Sequence, residues 1–413
     1  MRSINFSKDN VAVQWQYVKR NLGEMGILNQ AEVNGIEAQA KVMVDSFFQR
    51  SIFAEFTEQL KADWYERAEE RQDLRSGAYP RIFTTTFGRT NLLIPKVRRK
   101  SRNYTYRLLA KYQRRQKKFD NMVVLSLLLG FSTYKQRKFF QAFIGDSVSH
   151  QTASRLLQGL SEELRAYRTQ AIEDKYHFLI IDGFWIHLKE LDIKKRPVLF
   201  ALGITTDGRK ELIAFKLAKG ETEEEYVAFL NDLYRRGLLG KALELIISDG
   251  SDAIIAACNM CYPYTPRQRC YTHKLRNLLK NIRHKLKHRK KLMRQASDIY
   301  KVNSRQEAVK RFRILVRKWR NIEPKAIRCF QDEFYHTLNF YDFPEQIRSS
   351  ISTTNHIERF LEEIRRRIKV QGYFRNARSL NLWIFGLIKH TKLNPIKTMQ
   401  PKGMLKYESA KHS

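Results

Sequence analysis

Three acidic residues stand in settings suited to a single divalent-metal site. Asp182 ends the apolar run Phe178-Leu-Ile-Ile-Asp-Gly183, and Asp249 ends a second, Leu245-Ile-Ile-Ser-Asp-Gly250. Glu358 lies in Thr353-Thr-Asn-His-Ile-Glu-Arg359, at the start of a helix-patterned, Arg-rich stretch. Short apolar runs closed by Asp-Gly read as buried strands running into turns. Cleaving or joining a phosphodiester needs the attacking and leaving oxygens neutralised as charge develops, which two divalent ions roughly 3.5–4 Å apart achieve symmetrically. Mg²⁺ (or Mn²⁺) suits two strand-end aspartates and a helix-borne glutamate, because it takes oxygen ligands and one or two carboxylates per ion. Taken singly, each acid has an ordinary explanation. Asp-Gly is a common turn dipeptide, and a glutamate three residues after Asn355 fits a capping arrangement. Taken together, with the strand order and the charge described below, they favour metal-dependent strand chemistry.

A second constellation is Cys258-Asn-Met-Cys261 followed by Cys270-Tyr-Thr-His273. This C-x-x-C…C-x-x-H spacing is compatible with a tetrahedral structural Zn²⁺. Against it, Cys258 and Cys261 fall on a helical pattern, where small apolar cysteines serve as core residues. His273 alone suits a supporting role, orienting a phosphate or the metal shell.

The chain of 413 residues carries 77 basic and 42 acidic side chains, a formal net charge of +35. Such an excess opposes compaction unless a polyanion offsets it, and it points to nucleic acid. The hydrophobic content of 43% and aromatic content of 12% mark a folded protein of two or three domains. No stretch approaches the roughly 20 apolar residues of a membrane span, which excludes an integral membrane helix. No secretory leader is visible after Met1, and the four cysteines are too few and too clustered for a disulfide framework. A cytoplasmic, nucleoid-associated location is expected.

The elements that must position these residues follow from patterning. Residues 1–80 read as a helical N-terminal region. Residues 81–170 read as a DNA-binding region, opening on a β-hairpin from Arg81 to Ile94 around a glycine-containing turn. Next comes a basic run with interleaved tyrosines, in which Arg98, Arg99, Lys100 and Arg102 are candidate phosphate contacts. A helix-turn-helix pattern follows, with helices at Tyr134–Phe143 and His150–Leu164. Ser149 would cap the second helix, and Gln151, Thr152, Ser154 and Arg155 would face DNA. An ordinary helical hairpin explains the same pattern equally well.

From Tyr176 the order becomes β-β-β-α-β-α-β, a mixed α/β arrangement that describes a ribonuclease-H-like sheet. We divide it into residues 171–277 as the first part of the core, 278–346 as an all-helical insertion, 347–395 as the end of the core, and 396–413 as a tail.

The blocks Thr84-Thr-Thr-Phe-Gly-Arg89, Ile180-Ile-Asp-Gly183, Ile247-Ser-Asp-Gly250, Arg269-Cys-Tyr-Thr-His-Lys-Leu-Arg-Asn277, Thr353-Thr-Asn-His-Ile-Glu-Arg359 and Ile364-Arg-Arg-Arg-Ile-Lys-Val-Gln-Gly372 resemble, in the same order, those of Mutator-type transposases of bacterial insertion sequences. The resemblance covers most of the chain from about Ile82 to Leu387. It implies that Asp182, Asp249 and Glu358 are the DDE metal ligands and that Cys270 and His273 are the family's C-x-x-H pair. It also implies a ribonuclease-H-like core interrupted by a helical insertion. The family often has Ala where this chain has Gly183 and His356.

The expected activity is that of a transposase. It would bind the terminal inverted repeats of its element on double-stranded DNA, cleave with two divalent ions, and join the freed 3′-hydroxyl to target DNA. Arg359, Arg365, Arg366 and Arg367 would grip phosphates near the reacting strand. Because two DNA ends must meet, a homodimer or larger assembly is expected. A ribonuclease-H-fold nuclease without strand transfer, and a non-catalytic DNA-binding protein, are the two alternatives.

Overall fold

A computed structural model describes residues 30–63, 65–98, 106–107, 109–110, 112–188, 195–371, 374, 376–391, 393–396 and 399. Of the basic run, Arg98 is described and exposed, whereas Arg99, Lys100 and Arg102 lie outside the described residues. The chain divides into two compact units, one of residues 1–127 and 132–156, the other of residues 128–131 and 157–413.

In the first unit a long helix α1 (Gln30–Leu60) packs on the antiparallel hairpin β1 (Arg75–Thr85) and β2 (Gly88–Val97). Phe48 and Ile52 of the helix meet Phe83, Leu92 and Ile94 of the hairpin in a small apolar cluster. The hairpin agrees with the alternation in the sequence and is longer than it suggested, because pairing continues to Arg75↔Val97 across an irregularity after Arg75.

Helices α2 (Lys117–Leu128) and α3 (Thr133–Ile144) pack through Phe119 and Phe140, whose rings lie edge to face at 5.3 Å. Gln136 is buried between them and donates to Val123 O and Ser126 Oγ. Gly145 closes α3 in the left-handed conformation. Helix α4 (His150–Gln158) is capped as expected, the Ser149 hydroxyl accepting from Thr152 N at 3.1 Å.

The second helix of the helix-turn-helix pattern does not run to Leu164 but stops at Gln158, and α5 (Ser161–Thr169) starts afresh. The Gly159-Leu160 turn separates them, with Ser161 Oγ bonded to Gln158 O. Gln151 and Arg155 are both exposed on α4.

The second unit is built on a five-stranded mixed sheet in the order β5-β4-β3-β6-β7: β3 (Tyr176–Ile186), β4 (Arg196–Thr205), β5 (Lys210–Leu217), β6 (Leu245–Ser248) and β7 (Arg267–Arg269). The first three form an antiparallel meander, and β3, β6 and β7 run parallel. Strand β4 is buried along nearly its whole length, as a central strand covered on both faces must be.

One face is covered by α6 (Glu223–Arg235) and α7 (Asp252–Cys261). Their Phe229, Leu230, Leu233, Ile254 and Ala257 form one core with Leu179, Ile181 and Ile246 of the sheet. The opposite face carries Phe178, Ile180, Asp182 and Phe184, the alternate positions of β3. Helix α13 (Asn355–Gln371) packs there, with Phe360 edge-on to Phe200 at 6.2 Å.

Between β7 and α13 the chain is helical: α8 (Tyr271–Asn281), α9 (Lys285–Asp298), α10 (Arg305–Trp319), α11 (Pro324–Gln331) and α12 (Glu345–Ile351), with short 3₁₀ turns. Phe312, Leu315 and Trp319 are buried on α10. Helix α14 (Ala377–His390) ends the described core. Among the described residues no helix is long and apolar enough to cross a membrane.

Candidate active site

Strand register decides where the acids sit. In the parallel pair β3/β6, Phe178, Leu179 and Ile180 lie opposite Leu245, Ile246 and Ile247. Carrying that register two residues further sets Asp182 level with Asp249. In the pair β6/β7, Ser248 lies opposite Arg269, so the next step sets Asp249 level with Cys270. Neighbouring strands are about 4.8 Å apart, and three chemistry-bearing residues therefore cross the carboxyl ends of the parallel strands in one row.

Asp182 is not the last residue of its strand, as the sequence had suggested. β3 continues to Ile186 because Gly183–Ile186 pair antiparallel with β4. Asp182 is terminal only relative to the short neighbour β6. A Cβ on Gly183 would approach Val198 O to 2.8 Å, so a larger residue after Asp182 would have to displace the backbone of β4.

Asp249 follows β6 in a tight turn, its carboxylate accepting from Ser251 N at 3.1 Å. Gly250 has φ +78°, and a Cβ there would lie 2.5 Å from Arg269 Nε. Left-handed backbone costs a non-glycine residue about 1–2 kcal/mol, and Arg269 would also have to move. Gly250→Ala is therefore expected to destabilise the protein by about 2 kcal/mol. A thermal melt showing no loss would contradict this.

Glu358 comes from the first turn of α13. Its Oε1 accepts from Thr354 Oγ1 at 3.0 Å and lies 3.4 Å from His273 Nε2, while Arg276 reaches both oxygens at 3.4–3.5 Å. Burial pushes the Glu358 carboxyl up, but the Thr354 and Arg276 bonds and the His273 charge outweigh it and hold it below its ordinary value.

Asp182 behaves oppositely. Burial, then the charges of Asp249 and Glu358, raise it to about 6 against the opposing Gly183 N–H bond and His273. The three carboxylates thus share one field. Their oxygens do not, however, form a set within 4.8 Å of one another; among the described residues the one such group is Cys270, His273 and Glu358.

Cys270 ends the β6–β7 row, and His273 follows one turn later on α8. The thiol accepts from Thr354 N and Oγ1, both at 3.4 Å. Burial pushes it up, but the approach of His273 and the Thr272 and Thr354 bonds bring it down to about 7.

Cys258 and Cys261 are elsewhere. They sit on α7, Cys258 inside the core and Cys261 packed against it with Sγ 3.4 Å from Asn231 Oδ1. The four-ligand Zn²⁺ set of the sequence does not assemble among the described residues, because an amphipathic helix turns both thiols toward its own core.

Sequence reasoning missed three further groups. Arg276 is the clamp on Glu358, one turn beyond His273 on α8. His356 is pushed down to about 4 by burial, Lys210 and Arg359, and it meets Lys210 Nζ at 3.3 Å as a neutral acceptor. Glu221 is held up by burial and by the Asp249 charge, a fourth acid in the same field. Arg359 and Arg365 are exposed on α13, Arg365 lying over the Phe184 ring at 5.0 Å. Arg366 and Arg367 are both paired with Glu363, so part of their charge is already met.

Residues 19–396 match the Mutator family of transposases. The chain belongs to that family. It is 30% identical over 338 residues to the transposase for insertion sequence element ISRM5 of Rhizobium meliloti, covering 82% of this chain and 83% of the relative. It is likewise 30% identical over 353 residues to the transposase for IS256 in transposon Tn4001 of Staphylococcus aureus, with 83% and 87% covered. The transposase for IS905 of Lactococcus lactis matches at 27% over 355 residues, with 84% and 89% covered. The resemblance carried by the ordered motif blocks is therefore borne out. As a Mutator-family insertion-sequence transposase, the chain has DNA as its class of substrate.

Proposed function

We propose that the second unit is a ribonuclease-H-like catalytic core whose Asp182, Asp249 and Glu358 carry out metal-dependent cleavage at the terminal inverted repeats of its element and transfer of the 3′-hydroxyl to target DNA. The observation that carries this reading is the register, which sets Asp182 level with Asp249 on the face against which the Glu358 helix packs.

The donor set fits hard divalent cations. It consists of carboxylate oxygens, and burial together with the Asp249 and Glu358 charges raises the Asp182 carboxyl, which a bound cation would favour in its ionised form. Asp182 and Asp249 would hold the ions with Glu358 as third ligand, and two Mg²⁺ or Mn²⁺ would supply charge neutralisation at the attacking and leaving oxygens.

The chain's own residues do the remaining work. Arg276 and Thr354 fix the Glu358 carboxylate in place and ionised. The buried row of strands keeps the acids from moving apart. Arg359 and Arg365, both exposed, are placed to meet backbone phosphates. Arg98, Gln151 and Arg155 of the first unit would contact DNA along its length, and pairing of two ends calls for at least a dimer. The regions 1–80, 81–170, 171–277, 278–346, 347–395 and 396–413 remain our proposed division of labour, from DNA binding through core and insertion to tail.

The test is to incubate purified protein with a labelled duplex bearing the element's end and a supercoiled plasmid, in Mg²⁺ or in EDTA. Joined product in Mg²⁺ alone is expected. Cleavage without joining would favour a simple nuclease, and binding without either product a DNA-binding protein.

A further inference from the structure

We propose that Cys270, His273 and Glu358 form a three-ligand site for a soft divalent cation, Zn²⁺ above all, distinct from the carboxylate pair but sharing Glu358 with it. The proposal rests on the reading of Glu358 as a ligand of the catalytic site only for that shared residue.

Two observations converge. The Cys270 thiol, an imidazole nitrogen of His273 and a Glu358 oxygen all lie within 4.8 Å of one another. Tetrahedral zinc with one sulfur at about 2.3 Å and nitrogen or oxygen at about 2.0 Å needs donors about 3.3–3.7 Å apart. The separation of His273 Nε2 from Glu358 Oε1 is already 3.4 Å.

The second observation is the softness of the set. Thiolate with imidazole selects zinc over magnesium, whereas the neighbouring aspartates offer oxygen alone.

The site is also built rather than accidental. Cys270 has a relative exposure of 0% and is fixed by the β6–β7 row and by the Thr354 N–H. His273 follows three residues later in the first turn of α8, and Glu358 arrives from a segment far along the chain. Three protein ligands leave the fourth position of zinc open, the pattern of sites that exchange water or substrate. Because Glu358 belongs to both sets, Zn²⁺ bound here and the ions at Asp182 and Asp249 draw on one carboxylate.

The decisive experiment uses the full-length chain stripped of metal and titrated with Co²⁺, which replaces Zn²⁺ and reports a bound thiolate by a charge-transfer band. One equivalent of Co²⁺ is expected to produce the band, and Zn²⁺ to bleach it. Cys270→Ser should abolish the band, with circular dichroism confirming the fold. Should that variant not fold, His273→Gln serves instead. It is expected to weaken Co²⁺ binding by more than the roughly 10–100-fold that a lost supporting partner costs. Cys258→Ser and Cys261→Ser should keep the band.

Absence of any thiolate band, or a band that follows Cys258 or Cys261, would overturn the proposal. Asp182→Asn separates the two readings, since it should lose DNA joining and retain the band. A missing band beside intact Mg²⁺-dependent joining would sink this site alone, and the converse would sink the role given to the acids.

Discussion

Asp182→Asn is expected to lower cleavage and joining by about 10³-fold or more while leaving DNA binding unchanged. Neutralising developing charge on the reacting oxygens is worth several kcal/mol, and about 4 kcal/mol of barrier is three orders of magnitude in rate.

The same substitution should stabilise the metal-free protein. Burial and the Asp249 and Glu358 charges raise the Asp182 carboxyl from 3.8 to about 6. Between those values the folded state binds the proton more tightly than the unfolded chain. Stability contributed by this group is therefore fully present below pH 3.8, declines as pH rises to about 6, and stays lost above it. The loss is on the order of 3 kcal/mol. An amide is never ionised and escapes it. In EDTA above pH 6 the Asn variant should melt higher than wild type, and Mg²⁺ should raise wild type alone. A variant that melts lower and still cleaves would remove Asp182 from the site. Gain of stability with loss of function is the signature of a residue held under strain for chemistry.

The second large effect concerns the support beneath the site. Strand β7 carries Arg267 and Arg269, with side chains only 7% and 9% exposed, and Lys274 on α8 is fully buried. Opposite them stand Glu333 and Asp332 in the helical segment. Glu333 takes both guanidinium nitrogens of Arg267 at 3.1–3.3 Å and also Arg269 at 3.4 Å. Asp332, 67% exposed, contributes less through its carboxylate, although its backbone oxygen accepts from Lys274 Nζ. Burial and the Arg269 charge lower Lys274 to about 8, against the opposing charges of Asp332 and Glu333.

Glu333→Gln keeps the volume and removes the anion on which two buried guanidiniums depend. Breaking such a pair from one side costs about 3–5 kcal/mol. Discounted for the partial exposure of Glu333, about 3 kcal/mol is expected, or about 10 °C in the melting of this unit. Joining should fall as well, because β7 pairs with β6, the strand that delivers Asp249. A shift under about 2 °C would mean that water already screens these charges.

Much of this was legible in the residues. The strand-and-turn settings of Asp182 and Asp249, the succession of strands and helices along the core and the cap at Ser149 all follow from periodicity and turn chemistry, which are local. What was not legible depended on neighbours distant in sequence. Asp182 reads as the end of a strand because Gly183 reads as a turn, yet pairing with Val198 and Arg196 carries the strand onward. Cys258 and Cys261 have zinc spacing, yet the face of α7 they occupy is the one that packs on the sheet. Gln268 resembles any strand glutamine. In the fold it is buried and bonds Thr337 O, Ser352 O and Phe340 N, tying the helical segment to the strand beside the site. The Arg276–Glu358 clamp joins residues separated by 82 positions and has no local signature.

Asp182, Asp249 and Glu358 must act together on DNA if they form one site. The most direct measurement runs wild type, Asp182→Asn, Asp249→Asn and Glu358→Gln side by side on a labelled element end and a target plasmid in Mg²⁺. Joined product from wild type alone, with all four proteins still binding the duplex, is the predicted result. Joining that survives in any one of the variants at near wild-type rate would contradict it.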